Sequence, residues 1–446
     1  MKKILLLFLL LVSLQSCTKY LDERPSKSMV VPSTLKDLQT LLNNTQLNSV
    51  SPATTELAAD NIYLTDMEWQ SRSVSDRNGY IWETNVFNDQ EMNDWSMNYV
   101  TIYYANTVLN KLPRILGGTH EQRSYIAGQA LFFRAYTYYH LLQVFTKPYV
   151  KETAREDLGL PLRLDPDPNL PTTRAKLEDC YTQILQDAKT AVSLLPNFSL
   201  VPTRPSRAAA YGLIARLMMT MKNYKQAKIY ADSTLLLNDT LIDYNMLNPS
   251  SAQSFTLFNA EVIFHSALYG SSALLPSRAR IDSNLYMSYA PGDLRKELFF
   301  KNNPDKSISF KGSYCGNDQL FNGLTTDEIF LIRSEAQARL NNTSDALKDL
   351  NTLLQKRWKT GGFIPVTATD ATDALRKILT ERRKELVLRG LRWHDLRRLN
   401  AEPSFAVTLT RLINGTVYTL PPNDNRYAFP IPSNVINMTG IPQNPR

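Results

Sequence analysis

Cysteine is nearly absent from this chain of 446 residues: Cys17, Cys180 and Cys315 are the only three. That excludes a disulfide framework, and a chain this long with 43% hydrophobic residues buries a core without one. Histidine is scarce too. His120, His140, His265 and His394 show no His-x3-His or His-Glu-x2-His spacing, so no zinc site or other metal is expected, and no cofactor. His140 and His265 stand among apolar neighbours and read as core residues. Sixteen glycines and 24 prolines are too few for long flexible linkers. Beyond the first residues no second apolar run reaches the length of about 18 that a membrane-crossing helix needs. The catalytic signatures G-x-S-x-G, the P-loop and G-x-G-x-x-G are missing. The 42 acids could place two carboxylates at a glycosidase separation in any fold, but no pattern here motivates it, and the reading is a protein without catalysis. Asp165-Pro-Asp167 lacks the glycine and closing glutamate of a calcium loop and reads as solvated acids. The net charge of +8 is concentrated: from Arg376 to Arg398 nine Lys/Arg face three acids. Elsewhere the charge is balanced, which argues against a chain that coats nucleic acid or an anionic membrane.

What is present begins with a leader. Residues 1–16 carry two lysines, an apolar run from Ile4 to Val12, and then Leu14-Gln15-Ser16 ahead of Cys17, the pattern of a signal peptide too short to span a bilayer. Leu-x-Ser-Cys resembles a bacterial lipobox, in which the cysteine is acylated and becomes the first mature residue. Acyl chains at ~0.8 kcal/mol per buried methylene would hold residues 17–446 on a membrane without a spanning helix. Cys180 and Cys315 read equally as a lone disulfide pair or as two buried thiols.

The mature chain is mainly α. Apolar residues recur at three- and four-residue steps from Asp94 to Leu112, and a second helix is expected from Glu121 to Val144. A proline-rich connection, 148–171, follows. Helices resume at Ala175–Leu195, Arg204–Met221 and Tyr224–Leu237. Ala215 and Ala227 stand where two helices of a tetratricopeptide-type hairpin touch. The same twelve-residue offset returns at Ser334 and Ala346, a second hairpin of the kind. The helical scaffold is expected over about 94–237 and 325–400. Residues 50–93 and 238–322 have no sustained period and read as irregular insertions, and the segment after Ala401 is also non-helical. Long insertions on a rigid scaffold are where binding surfaces usually lie.

The stretch ERRKELVLRGLRWHDLRRLN (Glu381–Asn400), the lipobox, TKYLDERPS after Cys17, RAYTYYHLLQVF (Arg134–Phe145), PSRAAAYGLIARLMM from Pro205 and the terminal FPIPSNVINMTGIPQNP together resemble the SusD/RagB family of bacterial outer-membrane lipoproteins. Arg389 stands where members commonly carry an acid and His394 where an aromatic is usual. The resemblance implies a single SusD-like domain, anchored at the outer membrane through Cys17 and facing the cell surface. It implies capture of a nutrient, often an oligosaccharide, above a TonB-dependent SusC-like transporter, with no enzyme activity. The competing reading is a tetratricopeptide scaffold that binds only proteins. On either reading the basic segment is structural and binds no nucleic acid.

A sugar site wants an aromatic face flanked by groups that reach hydroxyls. The first insertion offers Asp60, Tyr63, Trp69, Arg72, Arg77, Tyr80 and Trp82, and the second offers Tyr269, Tyr286, Tyr289 and Tyr314. The resemblance draws ligand contacts from these two regions without fixing a position.

Overall fold

The computed structural model describes residues 32–49, 52–88 and 92–446; the leader and Cys17 lie outside them. Nine scaffold helices carry the architecture: α1 (Asp94–Lys111), α2 (His120–Phe145), α3 (Leu177–Leu194), α4 (Arg207–Thr220), α5 (Tyr224–Leu237), α6 (Thr326–Arg339), α7 (Thr343–Gln355), α8 (Ala371–Glu385) and α9 (Arg392–Leu399). Helices α1 to α7 each pack on the next, so the scaffold is a stack, and α8 lies against α6. Caps fix the starts. Asn93 accepts from Trp95 and Ser96 N–H while Ser96 Oγ accepts from Asn93 N–H, and Thr119 and Gln122 form the same reciprocal pair ahead of α2. Every residue of α2 from Phe132 to Phe145 is buried, which is why its sequence is apolar and aromatic on all sides.

The two hairpins share more than small residues. Ala215, Ala227, Ser334 and Ala346 are all fully buried, and Ser334 Oγ donates to Ala346 O at 2.7 Å across the second crossing. In each turn a residue with left-handed backbone, Lys222 (φ 57°) or Asn341 (φ 64°), immediately precedes an asparagine N-cap. Buried ion pairs join the stack: Arg134 to Asp187 between α2 and α3 at 2.7 Å, and Arg216 to Glu328 between α4 and α6 at 2.6 Å.

The insertions are more ordered than their lack of period suggests. Short helices cover Thr54–Ala58, Asp66–Gln70 and Val74–Tyr80. Strand Ile62–Tyr63 of the first insertion pairs antiparallel with Arg280–Ile281 of the second, and Val262–Phe264 pairs with Leu324–Thr325. Leu57, Ile62, Tyr80, Phe255, Ile281, Phe299, Tyr314 and Phe321 belong to a hydrophobic core of their own. Pairings this short and this distant in sequence leave no local signature. The end of the chain also differs from expectation. Leu409–Ile413 and Thr416–Leu420 form a hairpin around Asn414-Gly415, both at positive φ, the dipeptide that a tight hairpin turn requires. Helix Ser433–Thr439 follows. Phe429 and Ile431 are buried, Phe429 N–H donates to Val144 O, and the Phe429 ring lies against Trp393, so the tail docks on the end of α2.

The basic segment turns inward. Arg382 and Arg398 share Asp395, Arg398 also reaches Glu335, and Arg392 holds Asp60. Arg389 pairs with Asp327 at 2.9 Å and lies over the Tyr314 ring, so this departure from the family pattern makes a buried ion pair of its own. His394 is buried edge-on against Tyr139 and near His140, and desolvation holds both imidazoles well below their ordinary pKa. Cys180 and Cys315 are free, buried thiols, which settles their open pairing; burial pushes each up to about 11.

Candidate functional site

The two insertions meet in a groove. One wall is built from helix starts: Ala53 and Thr54 open Thr54–Ala58, Ser73 caps Val74–Tyr80, and Asn93 caps α1. The other wall is the second insertion, from Leu268 to Leu275 with Asn317, Asp318 and Gln319. Two cavities of about 390 and 260 Å³ lie here, and they share Ala53, Gly270 and Ser271. Tyr269, Phe87 and Met92 supply apolar surface, and Ser73, Ser75, Asp76 and Asp94 supply polar groups. Ser271 Oγ donates to Asp76 Oδ1 at 2.7 Å and Arg72 Nη1 donates to Ser272 Oγ at 3.2 Å, so hydrogen bonds tie the walls together.

Burial sets the electrostatics of the floor. Asp94 is 5% exposed, and desolvation pushes its carboxyl up to about 6 despite hydrogen bonds from Thr54. Behind it, buried Glu56 accepts from Asn61 Nδ2 and Gly390 N–H and is pushed up to about 7 by desolvation. The second wall is anchored from behind by Arg295, which holds Asp293, Glu381 and Glu385, and by Arg357 between Glu261 and Glu385. These side chains fix the insertion to α8.

Of the expected site residues only Tyr269 lines the groove, with Arg72 behind its rim. Tyr63 is 37% exposed on its short strand, and Tyr286 is half-buried with Lys296 Nζ 4.6 Å from its ring centre. Trp69 is half-buried: its Nε1–H donates to Arg77 O and the Arg77 guanidinium lies 5.6 Å from its ring. Four aromatics are corrections, because they are core. The Tyr80 hydroxyl accepts from Leu64 N–H, Trp82 Nε1–H donates to Ala58 O, the Tyr289 hydroxyl donates to Lys384 O, and the Tyr314 hydroxyl donates to Glu261. None is more than 2% exposed, so no ring face is open to a ligand. Asp60 is likewise engaged: Arg392 at 2.7 Å and Arg383 at 3.3 Å hold its carboxyl well below the usual range against desolvation. Sequence reasoning missed Asp76, Asp94, Ser271 and the run Asn317-Asp318-Gln319. The Gly-Asn-Asp-Gln run at 316–319 was the one local sign of a polar loop.

With the groove defined, likeness to known proteins becomes informative. Residues 19–219 match the family model described as "Starch-binding associating with outer membrane", and residues 327–446 match the model described as "SusD family". The chain belongs to the SusD/RagB family. Between the two matches lie residues 220–326, which include the second wall of the groove. SusD-like protein P2 of Formosa agariphila is 23% identical over 368 residues, 68% of this chain and 71% of that protein. A putative sugar binding protein from Bacteroides vulgatus superposes with a TM-score of 0.76 at 20% identity, covering 94% of this chain and 99% of its own. A SusD superfamily protein from Bacteroides thetaiotaomicron gives 0.76 at 21% identity, over 93% and 100%. Surface glycan-binding protein A from Bacteroides fluxus gives 0.71 at 18% identity, over 93% and 100%. At these identities the likeness establishes a SusD fold. Among the described residues no helix is long and apolar enough to cross a membrane, and no cluster of three or more metal-ligating side chains occurs.

Proposed function

We propose that this SusD/RagB protein captures an oligosaccharide in the groove between its two insertions and passes it, chemically unchanged, to a SusC-like TonB-dependent transporter. The acylated Cys17 would hold it at the outer membrane, facing the cell surface. The observation that carries the reading is the groove itself. Two segments that lie outside the helical stack come together there. They present the Tyr269 ring beside carboxylates and hydroxyls, the mixture that sugar C–H faces and hydroxyl groups require. The names of the Bacteroides neighbours, a putative sugar binding protein and a surface glycan-binding protein, support the ligand class.

The test is electrophoresis of the purified protein through gels containing single polysaccharides, with reducing ends assayed in parallel. Retardation without reducing-end release supports capture. Release would make the protein a hydrolase, and neither effect across a broad panel would favour the protein-binding scaffold. Recovery of a large β-barrel with the protein from detergent-solubilised outer membranes tests the transporter.

A further inference from the structure

The groove carries charge of one sign. Asp76 and Asp94 line its smaller cavity and Asp318 its larger one, and among the described residues no lysine, arginine or histidine lines either. The guanidinium at the rim is already engaged. Arg72 donates to Glu68 O at 3.0 Å, to Ser272 Oγ at 3.2 Å and to Ser71 Oγ at 2.7 Å, with the Glu68 carboxylate 3.5 Å away. Arg278 donates to the Ser272 carbonyl at 3.3 Å but lines neither cavity.

Three helices start in one wall, and helix starts ordinarily attract anions because their first amides lack partners. Here the chain supplies its own acceptors. Thr54 N–H reaches Asp94 Oδ2 at 3.4 Å, Asp76 N–H donates to Ser73 Oγ at 3.1 Å, and Asn93 Oδ1 accepts from Trp95 and Ser96 N–H. The Asp94 carboxylate thus takes the place that an acid group of a ligand would seek. The charge on Asp76 adds to the desolvation that raises the Asp94 carboxyl, so a further negative charge is unwelcome beside it. Asp318 lies on an exposed loop, and its Oδ1 accepts from the neutral Gln253 amide at 2.9 Å.

We propose that the groove selects its glycan by charge, taking uncharged sugar chains and rejecting those that carry carboxylate or sulfate groups. This inference rests on capture in the groove and adds the class of sugar captured. An acid group entering the cavities meets like charge with no lining cation to offset it, and about a tenfold loss of affinity is the expected scale. The net charge of +8 draws polyanions to the molecule at long range, so the rejection is a property of the groove lining.

The test starts from the polysaccharide that retards the wild type. Fragments of it are lightly carboxymethylated or, to the same degree, hydroxyethylated, which adds similar bulk without charge. Both are titrated calorimetrically into the purified protein at neutral pH and low salt. The carboxymethyl fragments should bind about tenfold more weakly than the hydroxyethyl ones, and the gap should narrow in Asp318→Lys, a substitution on an exposed loop, and in high salt. Equal affinities of the two derivatives, whether both bind or both fail, or a gap unchanged in Asp318→Lys, overturn the proposal. Retardation by polyuronates or sulfated glycans but not by uncharged ones also overturns it, while leaving capture standing. Absence of retardation by any polysaccharide removes capture itself, and the charge selection with it.

Discussion

At the scale of single residues, burial decides which chemical groups remain available. Asp94 shows it most sharply. Its carboxyl ionises near 3.8 in an unfolded chain and near 6 in the fold, because the floor of the groove desolvates the charge. The stabilising contribution of the neutral form is therefore complete below about pH 4 and is lost as the pH rises through 6. Asp94→Asn lacks this titration, so its stability relative to wild type should rise by about 2 kcal/mol between pH 4 and pH 7. Urea denaturation at the two pH values measures it; a difference that does not change with pH would contradict the placement of Asp94. Glu328 is constrained by an ion pair. Both of its oxygens accept from Arg216, at 2.8 and 2.6 Å, in a buried pair. Glu328→Gln leaves the guanidinium without its counter-charge and should cost about 3 kcal/mol or more, read as a fall in the denaturation midpoint. The same scale explains what the sequence could not reveal about the site. Tyr80, Trp82, Tyr289 and Tyr314 have the composition of sugar-binding aromatics, yet each polar atom is matched by a partner 16 to 95 residues away. Nothing local separates such a tyrosine from Tyr269, which lines the groove.

At the scale of elements, legibility follows the range of the interactions. Helices α1, α2, α3, α4 and α5 follow the apolar period closely, because their hydrogen bonds and caps are local. The expected Glu121–Val144 helix runs His120–Phe145, and Tyr224–Leu237 coincides with its expectation. The insertions were read as loops because strands of two or three residues pair across more than 200 positions in one case and about 60 in another. The crossing residues of the hairpins were legible through their spacing. Ala227 is fully buried where α5 meets α4, so Ala227→Leu forces extra volume between two backbones and should destabilise by about 1–3 kcal/mol, measured as a lower thermal midpoint. An unchanged midpoint would mean that the helices do not meet at this residue. Gly390 marks a different constraint. It sits at φ 68° with its N–H donating to Glu56, and a Cβ there would lie 2.5 Å from Asn322 Nδ2. The Arg-Gly step in the family-like motif is thus a backbone requirement that ties the basic segment to the groove's supporting layer.

At the scale of the molecule, the stack of hairpins, the docked tail and the inward-facing basic segment form one support, and the two insertions place the groove on it. If attachment to a membrane rests on acylation of Cys17, as proposed, Cys17→Ala should leave the protein in the soluble fraction or unprocessed, and continued firm membrane association would contradict the anchor. The central claim is that ligand is captured in the groove. If the Tyr269 ring covers ~50 Å² of sugar, its loss removes about 1.3 kcal/mol, roughly tenfold in affinity, while a half-buried rim residue contributes little to the midpoint. The most direct measurement is affinity electrophoresis of wild type and Tyr269→Ala, with thermal midpoints recorded beside it, in gels carrying a polysaccharide that retards the wild type. The account predicts retardation that weakens about tenfold in Tyr269→Ala at an almost unchanged midpoint; equal retardation of the two proteins would contradict it.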